Sequence, residues 1–399
     1  MAADVPPDPD AGASGTQLRV ARWLTRLGHD VDTIWSSDLP HLITHGNAHD
    51  LLEKPVGLRR AIRRKWRSAT FDVVCVNQPM GYLAARDHQL HARPGVFIRW
   101  SMGLEFALEQ ALAEWLPKWG MRKRSRFKAL PGRGIDYLLR RQERLAARYA
   151  DGHVVLCDED RDILVAEFEI PPDRVANVAQ APLEAFQALP PAPISLERLN
   201  RILTVGQFVP YKGTPHIAAT VNRVLASNPA ARFTWAGCGA EHREAALGLI
   251  RPELRSRCHV PGKLLERDFI DLFDTHGIFL FPSIKEGFGK AFLEAMSRGM
   301  CVVSTRTGGM RDIIVNAQNG FVAAPGDVDA LVHGIAHLWR DPAFATTVAV
   351  AARRTAEQYT WDRVARHTVR FCRELLHRQS LTEAELAARQ SSSRRGRRR

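Results

Sequence analysis

The sequence is poor in paired cysteines, in long apolar runs and in acidic charge, and each shortage removes a class of protein. Its six cysteines (Cys75, Cys157, Cys238, Cys258, Cys301 and Cys372) are scattered and form no CxxC pair. Most lie inside apolar runs such as Val73-Val74-Cys75-Val76, so buried reduced thiols are expected rather than disulfides or zinc ligands. No apolar stretch approaches the roughly 20 residues that span a bilayer, and no signal peptide opens the chain. A cytoplasmic protein is expected, with peripheral contact at the inner face of the membrane left open. Asp and Glu number 43 against 56 Lys and Arg, a net charge of +13. That balance favours an anionic partner: nucleic acid, an acidic membrane surface or a phosphorylated substrate. No recognised nucleic-acid-binding module accompanies the charge, so nucleic acid is not the expected partner.

What is present is enough for two domains: 399 residues, 45% of them hydrophobic. The second half has the clearer rhythm. Short apolar runs (Ile202 to Val205, Phe233 to Ala236, Ile278 to Phe281, Cys301 to Ser304) alternate with helical patterns at Ile217 to Leu225 and Ala291 to Arg298. Strands that are apolar throughout, joined by crossovers of helical length, predict a parallel sheet covered on both faces, an α/β doubly wound domain. The first half repeats this less cleanly, with a helix from about Gly15 to Leu27 and strand candidates at Val31 to Trp35, Phe71 to Val76, Val96 to Ile98 and Val154 to Cys157. The spans expected are a first domain over 1–188, a proline-rich linker over 189–200, a second domain over 201–360, a helix over 361–378 and a basic disordered tail over 379–399. Before the turn-rich loop from Asp8 to Gly15 there is room only for a strand stub at Ala2 to Val5. The start therefore reads as truncated, or as a short first strand.

The chemistry concentrates in Ser283-Ile284-Lys285-Glu286-Gly287-Phe288-Gly289-Lys290-Ala291-Phe292-Leu293-Glu294. A buried strand ends at Pro282, a glycine-bearing turn follows, and a helix begins. Amides at a helix start lack intrahelical partners and favour negative charge. Gly287 and Gly289, without Cβ atoms, let a ligand approach the main chain. Glu286 and Glu294 lie about 12 Å apart along a helix at 1.5 Å per residue. One could accept sugar hydroxyls while the other holds a ribose; the bland alternative is a solvated helix face. Val205-Gly206-Gln207-Phe208-Val209-Pro210-Tyr211-Lys212-Gly213 follows the first strand of the same domain, at the sheet edge where doubly wound folds bind ligands. Lys212 can supply a point charge to a diphosphate there.

From Leu203 to Trp361 the chain resembles the retaining GT-B glycosyltransferases of family 4, the glycosyl transferases group 1. The matching stretches are Val205-Gly206 through Lys212-Gly213, Ala236-Gly237-Cys238-Gly239, Pro282-Ser283 through Glu294-Ala295-Met296, Gly299 to Val303, Gly308-Gly309 with Asp312, Asn319-Gly320-Phe321-Val322 and Tyr359-Thr360-Trp361. In the first half, Pro6-Pro7 to Gly15, Leu27 to Val31 and Phe168 to Val175 match more weakly. The resemblance implies a GT-B fold: two Rossmann-like domains facing a cleft, with the helix after Trp361 crossing back to the first domain. It implies metal-independent, retaining transfer of a sugar from a nucleotide-sugar donor, with no cofactor and no metal ligands. By position, Glu286 resembles the glutamate near the donor sugar and Lys212 the diphosphate lysine, the pair expected to be catalytic. Glu294 resembles the ribose glutamate. Gln207, Gly287, Phe288, Gly289 and Lys290 would complete the donor site, with Lys263 and Leu264 at the base and Gly12 from the first domain.

Two departures from the family pattern matter. Gln207 stands where the family usually has arginine, and Met102 stands where it usually has histidine before Gly103-Leu104-Glu105, a position that contacts the donor sugar. Methionine transfers no proton and makes no comparable hydrogen bond. A non-catalytic sugar-nucleotide binder is therefore the alternative to an enzyme. Asp-x-Asp patterns at Asp8, Asp30, Asp158 and Asp327 read as caps and turns rather than metal sites. The acceptor is unspecified. Basic clusters at Arg59 to Lys65 and Lys118 to Lys128 suit an anionic membrane carrying a lipid-linked acceptor, or are solvated helix faces.

Overall fold

A computed structural model describes every residue except Asp4, Asp10, Ala11, residues 44–48 and 122–131, Lys263, Leu265 and residues 397–399. Lys263 and most of the second basic cluster thus lie outside the described residues. The first domain carries four parallel strands in spatial order β1 (Val73–Asn77), β2 (Val96–Trp100), β3 (Gly152–Val155) and β4 (Val175–Asn177). β2 and β3 are buried along their whole length, as a sheet covered on both faces requires. Ala2 extends this sheet by parallel bridges to Val76 and Ile34, with Ala2 N donating to Cys75 O and Asn77 N to Ala2 O, both at 2.8 Å. The expected strand over Val31 to Trp35 is reduced to that single bridge at Ile34, because its inner neighbour offers only one paired residue.

The second domain is a six-stranded parallel sheet, β10-β9-β8-β5-β6-β7. In chain order these are β5 (Arg201–Val205), β6 (Arg232–Ala236), β7 (Cys258–His259), β8 (Ile278–Phe281), β9 (Cys301–Thr305) and β10 (Phe321–Ala323). From β5 the chain winds outward one way to β7. It then returns to β8 on the other side of β5 and winds outward to β10. The carboxyl ends of β5 and β8 therefore flank the switch point, where open α/β sheets leave a crevice.

Seven helices position the site. They are α1 (Gly12–Arg26), α2 (Lys54–Ser68), α3 (Glu105–Lys118), α4 (Asp158–Phe168), α5 (Ala291–Ser297), α6 (Gly308–Ile313) and α7 (Trp361–Gly396). α7 crosses back to the first domain. Its Trp361 indole donates to Pro182 O at 2.9 Å, and Phe371 and Leu375 lie where a Cβ on Gly152 would stand. One buried apolar cluster runs from Ile98, Trp100 and Val154 through Trp361 and Phe371 to Phe292 and Phe281, so the two domains share a core.

The proline-rich segment between the domains is held down: the buried Arg298 guanidinium donates to Leu189 O at 2.7 Å and Pro190 O at 3.0 Å and pairs with Asp274. The helix expected to stop at 378 runs on to Gly396, where a disordered tail was anticipated. Leu381 to Arg389 is rich in Ala, Leu, Glu and Arg, all strong helix formers. All six cysteines are free and only Cys258 is not fully buried, as the apolar runs predicted.

Candidate functional site

The site begins with two turns that leave neighbouring strands. After β5 the chain passes through Pro210 to Lys212 and reverses at Gly213, whose φ of +73° is a left-handed conformation suited to glycine. A side chain there would also collide with the Pro282 carbonyl. After β8 the segment from Pro282 to Lys290 runs beside that turn, and Ile284 N donates to Tyr211 O at 2.9 Å. Lys212 Nζ and Glu286 Oε1 consequently meet at 2.7 Å. Ser283 Oγ donates to the same carboxylate oxygen at 2.7 Å, and Glu286 N–H donates to Thr307 Oγ1 at 3.3 Å. Glu286 keeps only 7% of its side-chain surface and Lys212 19%, so this pair sits in a largely water-free wall.

The first domain forms the opposite wall. Gln78, Met102 and Glu105 join Lys212, Lys285 and Glu286 around a cavity of about 210 Å³. Gly287 lies directly against Met102 and Gly103. A Cβ on Gly287 would collide with the Met102 carbonyl oxygen, so this glycine serves an approach of backbone to backbone. Met102 Sδ accepts a weak bond from the Gln180 amide at 3.7 Å. Gln78 holds φ 62°, ψ 172°, a region costly for any residue with a Cβ, and its Oε1 is buried without a hydrogen-bond partner.

The other expected donor residues take several positions. Glu294 is 4% exposed and lies 3.9 Å from Lys290 Nζ. Burial raises the Glu294 pKa, opposed by Lys290, a backbone amide at Leu183 and Arg19. Burial lowers the Lys290 pKa against the pull of Glu294. Both groups are pushed toward neutrality, so dehydration outweighs their mutual attraction. Neither lines the cavity that Glu286 faces. Phe288 is 3% exposed and packs its ring on Gly309 and Phe292; its side chain is core. Gly289 has φ +86°. Gln207 is exposed, Leu264 is half-buried, and Gly12 is exposed at the start of α1. α5 has only seven residues, so the dipole that the sequence suggested is that of two turns at most.

Several side chains at the cleft escaped the sequence reading. Lys285 Nζ reaches the first domain, 2.9 Å from Glu159 Oε1 and 3.1 Å from Asp160 Oδ1. Glu159 Oε2 accepts Gly308 N–H at 2.9 Å and the Thr307 hydroxyl at 3.1 Å. Asp312 accepts Asp158 N–H at 2.8 Å. The Asp158-Glu159-Asp160 pattern, expected to be a cap or turn, forms the first turn of α4 and also bridges the two domains. On another side, Trp119 donates to His216 Nε2 at 3.2 Å, and Trp115 stacks edge-on to the same ring. The signal available for Lys285 and Glu159 was only charge beside a motif, which surface residues share. Among the described residues one His/Glu group, His41, His49 and Glu53, could gather around a metal ion; it shares no residue with the cleft. There His49 Nδ1 bonds Glu53 at 2.7 Å, and Glu53 also accepts the amides of Leu42 and Ile43.

Two parallel-sheet domains, a cleft at the switch point of the second, and a helix that returns to the first define a GT-B protein. Residues 200–341 match the family described as Glycosyl transferases group 1. It is 28% identical over 178 residues to an uncharacterised glycosyltransferase of Methanocaldococcus jannaschii, covering 42% of this chain and 43% of that one. The matched part thus spans under half the length of this curated relative. Among solved structures, sucrose-phosphate synthase from Thermosynechococcus elongatus superposes with a TM-score of 0.71 at 17% identity, covering 94% of this chain and 98% of that one. The catalytic domain of starch synthase IV from Arabidopsis thaliana, bound to ADP and acarbose, gives 0.68 at 13% identity, covering 94% and 98%. These likenesses carry the fold.

Proposed function

We propose that the protein transfers a sugar from a nucleotide-sugar donor to an acceptor, with retention of configuration and without a divalent cation. The observation that carries this reading is the Lys212–Glu286 pair, built at the adjoining ends of β5 and β8 and facing Met102 to Glu105 across the cavity. Transfer requires a diphosphate to leave with added negative charge. A fixed ammonium and oriented amides in a dry wall lower that barrier by several kcal/mol without reorganising. Lys212 is the group that meets the diphosphate, and Glu286 accepts hydroxyls of the sugar, with Gly287, Phe288, Gly289 and Lys290 supplying main-chain donors. Glu294 takes the ribose, and Gln207, Lys263, Leu264 and Gly12 border the nucleotide. The ADP bound to the starch synthase IV domain supports a nucleoside diphosphate as the product left behind.

The acceptor side includes a groove of about 570 Å³ on α2, lined by Arg60, Arg63, Arg64 and Arg67 with Ser37 and Pro40. Among the described residues no helix is long and apolar enough to cross a membrane. This groove supports peripheral docking on an anionic membrane at the cytoplasmic face and a lipid-linked acceptor. Flotation with liposomes of neutral or anionic lipid tests it, and equal binding to both would remove the membrane from the proposal.

A thermal-shift screen of UDP-, GDP- and ADP-linked hexoses identifies the donor, since a ligand at 100 times its Kd stabilises by ~2.7 kcal/mol. Release of nucleoside diphosphate, followed with and without EDTA, then tests transfer. Strict dependence on manganese would defeat the metal-free mechanism. Met102 in the cavity wall favours one second reading, a binder that holds the donor without turning it over. Binding with no turnover across a broad acceptor panel selects that reading.

A further inference from the structure

Glu286 and its neighbour Lys285 both border the cleft but pair with different domains. Glu286 meets Lys212 inside the second domain, while Lys285 leaves that domain and enters a pocket on α4 of the first. Lys285 is 6% exposed and Asp160 fully buried. An ammonium in such a place needs carboxylates close by, because an unpaired buried charge costs several kcal/mol. Glu159 and Asp160 provide them at 2.9 and 3.1 Å. Glu159 does more than neutralise Lys285. Its second oxygen takes the amide of Gly308 at the start of α6 and the hydroxyl of Thr307. That same hydroxyl oxygen accepts the amide of Glu286. One first-domain carboxylate therefore grips the Glu286 segment from both directions, through Lys285 on one side and Thr307 on the other. Gly308 fits against the Glu286 Cβ so closely that a methyl group on it would clash. A displacement of Gly308 is thus felt at Glu286.

We infer that Glu159 is a positioning residue: it holds Glu286 in the cleft wall across the domain boundary, by way of Lys285 and the Thr307–Gly308 turn. It touches no substrate. Closure of the two domains and placement of Glu286 then become a single event, because both depend on the same carboxylate. This extends the glycosyl-transfer reading of the cleft, but the geometry it asserts stands apart from turnover.

The test compares the full-length protein with Glu159→Ala, Glu159→Gln and Lys285→Met. Two amides report directly, Gly308 N–H and Glu286 N–H. Hydrogen exchange in peptides covering 283–290 and 305–312 is expected to speed up about tenfold or more in Glu159→Ala, with β5 and β6 unchanged. Glu159→Gln keeps an acceptor oxygen for Gly308 and Thr307 and is expected to recover most of that protection. With UDP-glucose, GDP-mannose or ADP-glucose, whichever the wild type turns over, kcat should fall about 10- to 100-fold in Glu159→Ala while KM stays within about threefold. A lowered thermal midpoint with kcat and exchange unaltered would mark a purely structural contact and overturn the inference. So would exchange at both segments within twofold of wild type. If the wild type turns over none of the three donors, the transfer reading is in trouble, and the exchange result alone decides the role of Glu159. Should Glu159→Ala fail to fold, Lys285→Met, which leaves the Thr307 and Gly308 bonds intact, must still raise exchange over 283–290.

Discussion

Lys212 and Glu286 are 74 residues apart in the chain and 2.7 Å apart in space. The distance in sequence is one full excursion around the outer half of the sheet, from β5 through β6 and β7 to β8. On the proposed reading, an incoming diphosphate competes with Glu286 for the Lys212 ammonium, so the bond seen here has to open when the donor binds. Replacing Lys212 by Ala is expected to lower kcat/KM by about 100-fold or more. Replacing Glu286 by Gln should cost a comparable factor. The double variant is expected to fall well short of the product of the two losses, because the residues share one bond. Initial rates of nucleoside diphosphate release measure all three. Additive losses would show that the residues act separately.

Gly287 presses its Cα against the other domain. Gly287→Ala places a methyl group on the Met102 carbonyl oxygen and near the Gly103 Cα. The expected result is a first domain pushed outward, a loss of at least tenfold in turnover, and a small change in thermal midpoint, since both sheets remain intact. Small-angle scattering should show an increased radius of gyration. An unchanged radius with full activity would mean that the two backbones do not meet in solution.

Much of the second domain was legible in the residues, and the reason is physical. Its strands are short, apolar throughout and separated by helical lengths, so Ile278–Phe281 can be read off directly, and Cys301–Thr305 runs one residue past the reading. That Lys212 and Glu286 share one edge of the sheet followed from both lying after strand ends, whereas their ion pair did not. Spacing along the chain singled out Glu294 and the resemblance gave Gln207 its role, and neither lines the cavity that Glu286 faces. What stayed hidden depends on how two domains dock. Gly287 reads as space for a ligand until Met102 is seen against it. Glu159 and Asp160 read as a helix cap until Lys285 arrives from the other domain. The tail read as disordered because its charge is visible in sequence, whereas its continuity with α7 depends on the good helix formers before it.

Gln78 stores strain in the first-domain wall. At φ 62°, ψ 172° a glycine is at ease and a glutamine is not, at a cost on the order of 1–3 kcal/mol. Gln78→Gly is therefore expected to raise the thermal midpoint. It should also reduce kcat/KM, since the buried, unpartnered Oε1 that lines the cavity is removed. A midpoint that drops would show that the glutamine side chain stabilises the fold by more than its backbone costs.

His276 gives the fold a pH dependence that can be isolated. It is 5% exposed and satisfied at both ring nitrogens, Nδ1 by Leu272 O at 2.7 Å and Nε2 by the Thr234 hydroxyl at 2.8 Å. Leu272 O can only accept, so Nδ1 carries the proton and Nε2 accepts from Thr234. A second proton would reverse that bond, with the Thr234 hydroxyl turning to accept, and would place a charge in the core. Burial, joined by the positive charges of Arg201 and Arg198, pushes the pKa down to about 4. Above the unfolded value of about 6.5 both states are neutral and the stabilisation is complete. Between about 6.5 and 4 the unfolded chain binds a proton that the folded protein refuses, so stability falls as pH falls, by about 3 kcal/mol over the window. Gln at this position can donate and accept without titrating. The difference in unfolding free energy between wild type and His276→Gln, from urea titrations at pH 7, 6, 5 and 4, should therefore shift in favour of the variant as pH drops. A constant difference across that range would mean that His276 is protonated equally in both states.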